Sequence, residues 1–501
     1  MSYKDETRFP GGVRSGADYL NGLKNDGRRV FIDGEEVSDV TTHPAFQEAA
    51  NSIAHLFDIA YDPANREFMT YKSPSSGKPV NIIWRMPTST AELAAWRKAV
   101  ETWSESNFGF IGRGPDHVAG FFIGWGAQPE IFAEDDYKDF AGHMVRFYEF
   151  LRDNDVYITY TIVPPQVDRS KPAHQQDPSD LYAGVVSERD DGIVIKGAQM
   201  LGTGAALSDY INLSTISPMA PGDENYAINV AVACNAPGVK IYSRRSYAAA
   251  ATSMYDYPLA SRFDETDALI VYDNVLIPWE QVFVYRNLDL VRRQWWETPA
   301  HIMGNNQAHI RFNTKLKFLL GLAHKITEMN GAVNNPAVQA KIAELASHAC
   351  TFEGLLEAQF STAKKNEKGF VEPGYQAHYS GEGLQSVIYP KMLNILRELS
   401  GGGAIQLPSS TMDFDNPEIA ADIERYIQSP GYDSEERVKL MKLAWDAIGS
   451  EFAGRHDQYE KFYAGPPFIT QRRLFQHYDF KTATGLVETA LAGYDRGGRK
   501  R

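Results

Sequence analysis

Cysteine is scarce: Cys234 and Cys350 are the only two in 501 residues, too few for a disulfide framework or a cysteine-held iron–sulfur cluster. That usage suits a reducing cytoplasm. Positive charge is also short, since 50 Lys and Arg face 64 Asp and Glu for a formal net charge of −14, which repels nucleic acid and anionic membrane. The one basic block is the terminal GGRKR. The apolar runs fall well short of a bilayer span, and the opening MSYKDETRFPGG has no apolar signal core. The expectation is a soluble, unexported, cytoplasmic protein with neither nucleic acid nor membrane as partner.

Standard cofactor and metal signatures are missing too. There is no G-x-x-x-x-G-K-[ST] loop and no G-x-G-x-x-G between a strand and a helix. GTGAAL at 202–207 has two glycines without the third, and no acidic ribose ligand follows a βαβ unit, so a nicotinamide site of the usual kind is not expected. Among the twelve histidines none forms H-E-x-x-H or a His pair on one helical face beside a carboxylate. A metal could be held only through residues far apart, and no metal ligand is assigned. No G-x-S-x-G elbow occurs.

What is present falls into three zones. Residues 1–155 are mainly helical: THPAFQEAANSIAHLFDIAYD starts with Thr42 as N-cap and Pro44 in the first turn, and STAELAAWRKAVETWSES opens with a Ser89–Glu92 capping box. A small hairpin, RRVFIDGEEV, precedes them and turns at Asp33-Gly34. From 156 to 290 the period becomes strand-like, through VYITYTIV, YINLSTI, YAINVAVAC and ALIVYDNVLI, with turn signals such as Asp191-Gly192. From 291 to 501 apolar residues recur at three and four, as in FNTKLKFLLGLAHKITEMNG and ERVKLMKLAWDAIGSEF. Segregated helices, strands and helices define an α+β fold.

Several stretches resist a pure packing explanation. NFGFIGRGPDHVAGFFIGWG sets Arg113 and His117 four positions apart in an apolar run, with Gly112 and Gly114 expected to let the backbone turn tightly and Pro115 to stiffen it. AIGSEFAGRHDQYE ends an apolar helix in small residues, then Arg455, His456 and Glu460. SGGGAIQLPSS places three glycines before Pro408 and Ser409. The bland readings are a helix-start turn, a helix break with surface charges and an ordinary glycine-rich turn.

Together GRGPDH, YTIVPPQVDRS, SRFDETDALIVYDNVLIPWE, LPSSTMDF and GSEFAGRH resemble the 4-hydroxyphenylacetate 3-hydroxylase family, oxygenase components of two-component flavin monooxygenases. The resemblance implies an acyl-CoA-dehydrogenase-like fold, with an N-terminal helical domain, a central β domain and a C-terminal four-helix bundle that forms homotetramers. It implies FAD, used as FADH2 delivered by a separate NAD(P)H-flavin reductase, and O2, which together give a C4a-hydroperoxide that hydroxylates a phenol, ortho to its hydroxyl. Arg113, His117 and Tyr160 fall at the substrate positions, though His117 stands where the family commonly has tyrosine and Tyr160 where it has histidine. Thr161, Thr203, Ser450, Arg455 and His456 fall at flavin positions, and Pro408 and Ser409 would approach from a neighbouring subunit. Trp279 is read as core and residues 214–227 as a lid. The shortened RRSYAAAATSMYDYPL and the small Gly304-Asn305 favour a phenol other than 4-hydroxyphenylacetate. A non-catalytic flavin-binding protein and a 4-hydroxybutyryl-CoA-dehydratase-like lyase are the alternatives; the cysteine count stands against the second.

Overall fold

The computed structural model describes residues 2–134 and 137–494; the basic tail at 497–501 lies outside them. Helices come first, α1 (Gly16–Leu23), α2 (Gln47–Tyr61), α3 (Thr90–Ser106), α4 (Pro115–Ala127) and α5 (Phe140–Asp153). Two sheets follow. A six-stranded sheet is ordered β2-β1-β8-β9-β5-β4, where β1 is Val30–Ile32, β2 Glu35–Val37, β4 Gly184–Arg189, β5 Gly192–Gln199, β8 Val239–Ser243 and β9 Ala268–Pro278. A four-stranded sheet is ordered β10-β7-β6-β3, from β3 (Ile158–Thr161), β6 (Tyr210–Leu213), β7 (Ile228–Ala233) and β10 (Val282–Tyr285). The chain then returns to helix: α6 (Ala300–Met329), α7 (Pro336–Ser361), α8 (Tyr375–Ser400), α9 (Ser434–Ile448), α10 (Glu451–Phe462) and α11 (Pro467–His477). Long α6, α7 and α8 pack on one another, and α9 with α10 supplies the fourth, broken column. This is the expected α+β order. No helix among the described residues is long and apolar enough to cross a membrane.

Local chemistry accounts for several boundaries, and corrects others. The Asp33-Gly34 turn forms with both residues at positive φ, the requirement of a two-residue type I′ hairpin. That hairpin does not stay with the helices, because β1 pairs in parallel with β8 and so extends the larger sheet. Thr42 is not an N-cap. Asp39 accepts from the Thr41 amide at 2.8 Å and its hydroxyl at 2.7 Å, an Asx-type turn that delays α2 until Gln47. Ser89 does cap α3, but the Glu92 carboxylate bonds the Thr88 amide at 2.7 Å, so the reciprocal half of the box is displaced by one residue. The turn between β4 and β5 is Asp190-Asp191, and Gly192 begins the strand because a Cβ there would sit 2.0 Å from the Ile277 carbonyl oxygen.

Helix α4 sits deepest. Its residues Pro115 to Trp125 are all buried, as a helix apolar on every side must be. It lies directly against α6, whose first fourteen residues are buried. Glycine permits that approach: a Cβ on Gly120 would fall 2.8 Å from the Gly304 Cα, and one on Gly304 would strike the Phe121 ring at 2.4 Å. Small Gly304 is therefore explained by helix packing, and Phe121 fills the space beside it.

Candidate active site

Pro115 starts α4 with Gly114 as N-cap, so Arg113 lies just before the helix and His117 in its first turn. Neither Gly112 nor Gly114 adopts a positive φ, contrary to the tight-turn expectation. Gly112 instead makes room for another helix, since a Cβ there would lie 2.1 Å from the Tyr459 hydroxyl. The Arg113 main chain is fixed from both sides: its N–H donates to Glu265 Oε1 at 2.5 Å, and its carbonyl accepts from the Tyr157 hydroxyl at 2.7 Å.

The Arg113 guanidinium hydrogen-bonds His117 Nε2 and lies over three tyrosine rings, Tyr463 at 4.2 Å, Tyr160 at 5.0 Å and Tyr459 at 5.4 Å. Such cation–π contacts contribute about 0.5–2 kcal/mol each when desolvated. Among the described residues no carboxylate makes an ion pair with this guanidinium. His117 is fully buried; its Nδ1 is 3.0 Å from the Tyr463 hydroxyl. Because Arg113 donates to Nε2, Nδ1 carries the ring proton and donates to Tyr463. Tyr160, on β3, stands 5.4 Å from the His117 ring, and Phe121 lies 5.1 Å from His117 and 5.5 Å from Tyr160. Arg113, His117 and Tyr160 thus form one cluster of packed side chains.

Burial, reinforced by Arg113, pushes the His117 pKa well below its ordinary value. A titration near neutrality, the usual expectation for histidine, does not belong to this ring. Beside it, burial pushes Asp116 up to about 6, with Gln307 donating to its carboxylate at 3.0 Å.

The residues that the sequence resemblance assigned to the flavin fall into three groups. Thr203 donates to Asp267 Oδ1 at 2.6 Å, and Arg455 grips the same carboxylate at 2.7 and 3.0 Å. Asp267 is held well below the usual carboxylate range although burial opposes it, because Arg455 and Arg244 outweigh desolvation. Arg455 also reaches Glu265 Oε2 at 3.4 Å, which ties it to the Arg113 backbone. Thr161 is buried at the end of β3, 3.4 Å from the Tyr272 hydroxyl. On the helical side Ser450 caps α10 and His456 is buried against Phe452 and Phe110. Pro408 and Ser409 lie elsewhere: Ser409 is exposed and bonds Asp413 at 2.6 Å, and its carbonyl lies 3.5 Å from the Lys442 ammonium. Trp279 is packed between Tyr285 and Tyr137 and donates to the Arg189 carbonyl. In segment 214–227 Asp223 accepts from the His174 and Ala220 amides, each at 2.8 Å.

Sequence reading missed the organising residues. Glu265 and Asp267 lie inside the quoted SRFDETD block, two apart, so that in extended backbone both face one side. Arg455, Tyr459 and Tyr463 recur every fourth residue, one stripe of α10 aimed at Arg113. The other stripe, His456 and Glu460, is not a surface charge cluster. Glu460 accepts from Arg311 at 2.5 and 2.9 Å, from Lys315 at 2.6 Å and from Gln385 at 2.7 Å, and all these residues are buried.

A three-zone α+β chain with a buried Arg–His–tyrosine cluster, where α4 and α10 meet β3, defines the class. The chain belongs to the 4-hydroxyphenylacetate 3-hydroxylase family, whose N-terminal model matches residues 15–284 and whose C-terminal model matches residues 291–492. A 4-hydroxyphenylacetate 3-monooxygenase oxygenase component from Geobacillus sp. (strain PA-9) is 34% identical, over 96% of this chain and 97% of that one. A 4-nitrophenol 2-monooxygenase oxygenase component from Rhodococcus sp is 33% identical, over 98% and 95%. A solved 4-hydroxyphenylacetate 3-monooxygenase oxygenase component complexed with FAD and 4-hydroxyphenylacetate superposes with a TM-score of 0.90 at 31% identity, covering 95% of this chain and 98% of that one.

Proposed function

We propose that this protein is the oxygenase component of a two-component aromatic monooxygenase, hydroxylating a phenol ortho to its hydroxyl with FADH2 from a separate NAD(P)H-flavin reductase. Reduced FAD supplies two electrons to O2, so that one oxygen atom enters the ring and the other leaves as water. The observation that carries the reading is the Arg113 charge, buried among aromatic rings and, among the described residues, with no carboxylate paired to its guanidinium.

A phenol titrates near 10 and is un-ionised at neutral pH. A charge about 4 Å away, at an effective dielectric near 20, favours phenolate by roughly 4 kcal/mol before desolvation is subtracted. Arg113 supplies that charge, and ionisation raises electron density at the ortho carbon. His117 remains neutral, so its Nε2 lone pair can accept a hydrogen bond from the phenol hydroxyl when that group enters between it and Arg113. Tyr463 accepts from Nδ1–H and holds the ring in that tautomer. Tyr160 and Phe121 face the ring and exclude water. Phe121 fills the space beside Gly304, so extra room for a substituted or larger phenol, or a hydroxylated heteroaromatic, is sought on the side of residues 245–258.

The residues fit a flavin. Thr161 and Thr203 offer hydroxyls from the sheet side, while His456 Nε2 and the Tyr459 hydroxyl are buried without a hydrogen-bond partner. We read Arg455 as a positioning residue acting through Asp267 on Thr203, Ser450 as fixing the start of α10, and 214–227 as the lid. Pro408 and Ser409 act from a neighbouring subunit of a homotetramer; exposed Ile405, Met412, Phe468 and Phe475 support such contacts. Domain limits near 155 and 290 and a cytoplasmic location complete the reading, the latter supported by the free Cys234 and Cys350.

The test supplies anaerobically reduced FAD, 18O-labelled O2 and a panel of phenols. One phenol gaining a single labelled oxygen is expected. Hydrogen peroxide alone, whatever phenol is present, would leave a flavin-binding protein without this activity.

A further inference from the structure

Away from the Arg113 cluster, two helices of the bundle and the helix beside them converge on a second cluster. His378 and Glu382 are one turn apart on α8, His301 lies at the start of α6, and all three are buried. The sequence allowed a metal only through residues far apart; the packing of α6 on α8 brings such residues together, within 4.8 Å of one another at their ligand atoms.

Hydrogen bonding defines what these atoms present. His378 Nδ1 is 3.2 Å from Gln359 Oε1. That oxygen only accepts, so Nδ1 carries the proton and Nε2 presents a lone pair. The lone pair lies 3.4 Å from Glu382 Oε1, itself only an acceptor, and His301 Nδ1 lies 3.8 Å from the same oxygen. None of the three atoms, His378 Nε2, Glu382 Oε1 and His301 Nδ1, has a hydrogen-bond partner. His378 Nε2 and Glu382 Oε1 are thus two buried acceptors facing each other, which costs free energy unless a donor or a cation lies between them; His301, whose Nε2 faces the Asn305 Nδ2 donor, carries its proton on Nδ1 until a cation displaces it.

One separation already suits a cation, 3.4 Å between His378 Nε2 and Glu382 Oε1, and the 3.8 Å from His301 Nδ1 must shorten on binding. Ligand bonds of about 2.0–2.2 Å in tetrahedral geometry set donor atoms roughly 3.3–3.5 Å apart. The supporting shell is also built. Arg473 binds the other Glu382 oxygen at 3.1 Å, leaving Oε1 free, and Gln359 fixes the His378 tautomer, as outer-shell groups do for metal ligands. Trp296 covers His301 at 4.3 Å between ring centres, and Tyr379 flanks it at 6.1 Å. With a metal on Nδ1, His301 Nε2 carries the proton, and Asn305, whose Nδ2 lies 3.1 Å from Nε2 and donates to the His301 carbonyl at 3.0 Å, must turn aside to make room for it.

We propose that His301 Nδ1, His378 Nε2 and Glu382 Oε1 bind one divalent first-row metal ion, with a fourth position open to water. Two imidazoles and a carboxylate without thiolate suit Zn2+ or Fe2+. The ion cross-links α6 to α8 beneath α11.

The full chain, purified without chelator and with any affinity tag removed, is analysed for metal, then stripped and titrated with ZnCl2 and with CoCl2. About one divalent ion per chain is expected, its identity naming the native metal. ZnCl2 should raise the unfolding temperature of the wild type by several degrees, and Co2+ should show visible d–d absorption; His378→Ala and Glu382→Gln should show neither effect. Gln359→Leu, which leaves every ligand in place, should weaken binding by roughly 10- to 100-fold. A wild-type chain that holds no ion and does not respond to ZnCl2 overturns the proposal, whether or not the variants fold. So does binding of equal affinity in His378→Ala and Glu382→Gln, which would place the ion elsewhere.

Discussion

Two arginines meet α10 and are held in different ways. Glu460 holds Arg311 through two hydrogen bonds and Lys315 through a third, a closed buried network. The Tyr459 and Tyr463 rings lie against both guanidinium groups, but Arg113 has a neutral histidine where Arg311 has a carboxylate. Both guanidinium groups are desolvated, but among the described residues only Arg311 has a carboxylate bonded to its guanidinium. A compensated buried cation organises packing; an uncompensated one is poised for an anionic ligand. In the proposed reading, the phenolate of a bound substrate takes the place at the Arg113 guanidinium that no carboxylate among the described residues fills.

The contrast can be broken first at Glu460. Glu460→Gln should cost about 3–5 kcal/mol, because Arg311 and Lys315 are left buried without their carboxylate; equilibrium denaturation measures it. Glu460 also sets an acid limit. Burial opposes its charge, yet Arg311 and Lys315 hold its pKa at about 2, below the ordinary 4.5. A carboxylate lowered on folding contributes stability above the unfolded pKa and loses it as pH falls. The wild type should therefore lose stability between about 4.5 and about 2 more steeply than Glu460→Gln.

At Arg113 the same deletion should spare the fold and remove the chemistry. Arg113→Ala is expected to lower hydroxylation roughly 10^3-fold, the equivalent of about 4 kcal/mol, with FAD affinity retained; product formation and FAD titration test the two halves. A normal rate would remove Arg113 from the mechanism. His117→Phe should cost roughly 10^2-fold, the loss of one hydrogen bond to a group that becomes charged, and should leave the shape of the pH–rate profile between pH 6 and 8 unchanged, since burial and Arg113 hold the His117 pKa well below its ordinary value. Loss of a limb near neutrality in this variant would contradict that. Tyr463→Phe, which deletes only the hydroxyl accepting from Nδ1–H, should cost about 1 kcal/mol, or roughly fivefold.

Much of the fold was legible from period alone: helices, then strands, then helices. Arg113 and His117 also stood out because charge and imidazole interrupt an apolar glycine-rich run. Glu265 and Asp267 could have been found, since two carboxylates two residues apart in a quoted block face one side of extended backbone. The Arg455, Tyr459, Tyr463 stripe was equally visible at helical spacing. Arg311 and Lys315 were not, because their partner Glu460 is about 150 residues away and only α6 packing on α10 joins them. Gly304 was misleading for a related reason: its smallness reads as substrate space, but the ring of Phe121 occupies it.

The most direct measurement is the ionisation of a bound phenol. 4-Nitrophenol, whose phenolate absorbs visible light, is titrated against pH with the protein and anaerobically reduced FAD, in the wild type and in Arg113→Gln. The bound phenol should ionise at least one pH unit lower than in free solution, and Arg113→Gln should abolish that difference. Ionisation of the bound phenol at the same or a higher pH in the wild type would contradict the account of Arg113 as a cation held for a phenolate.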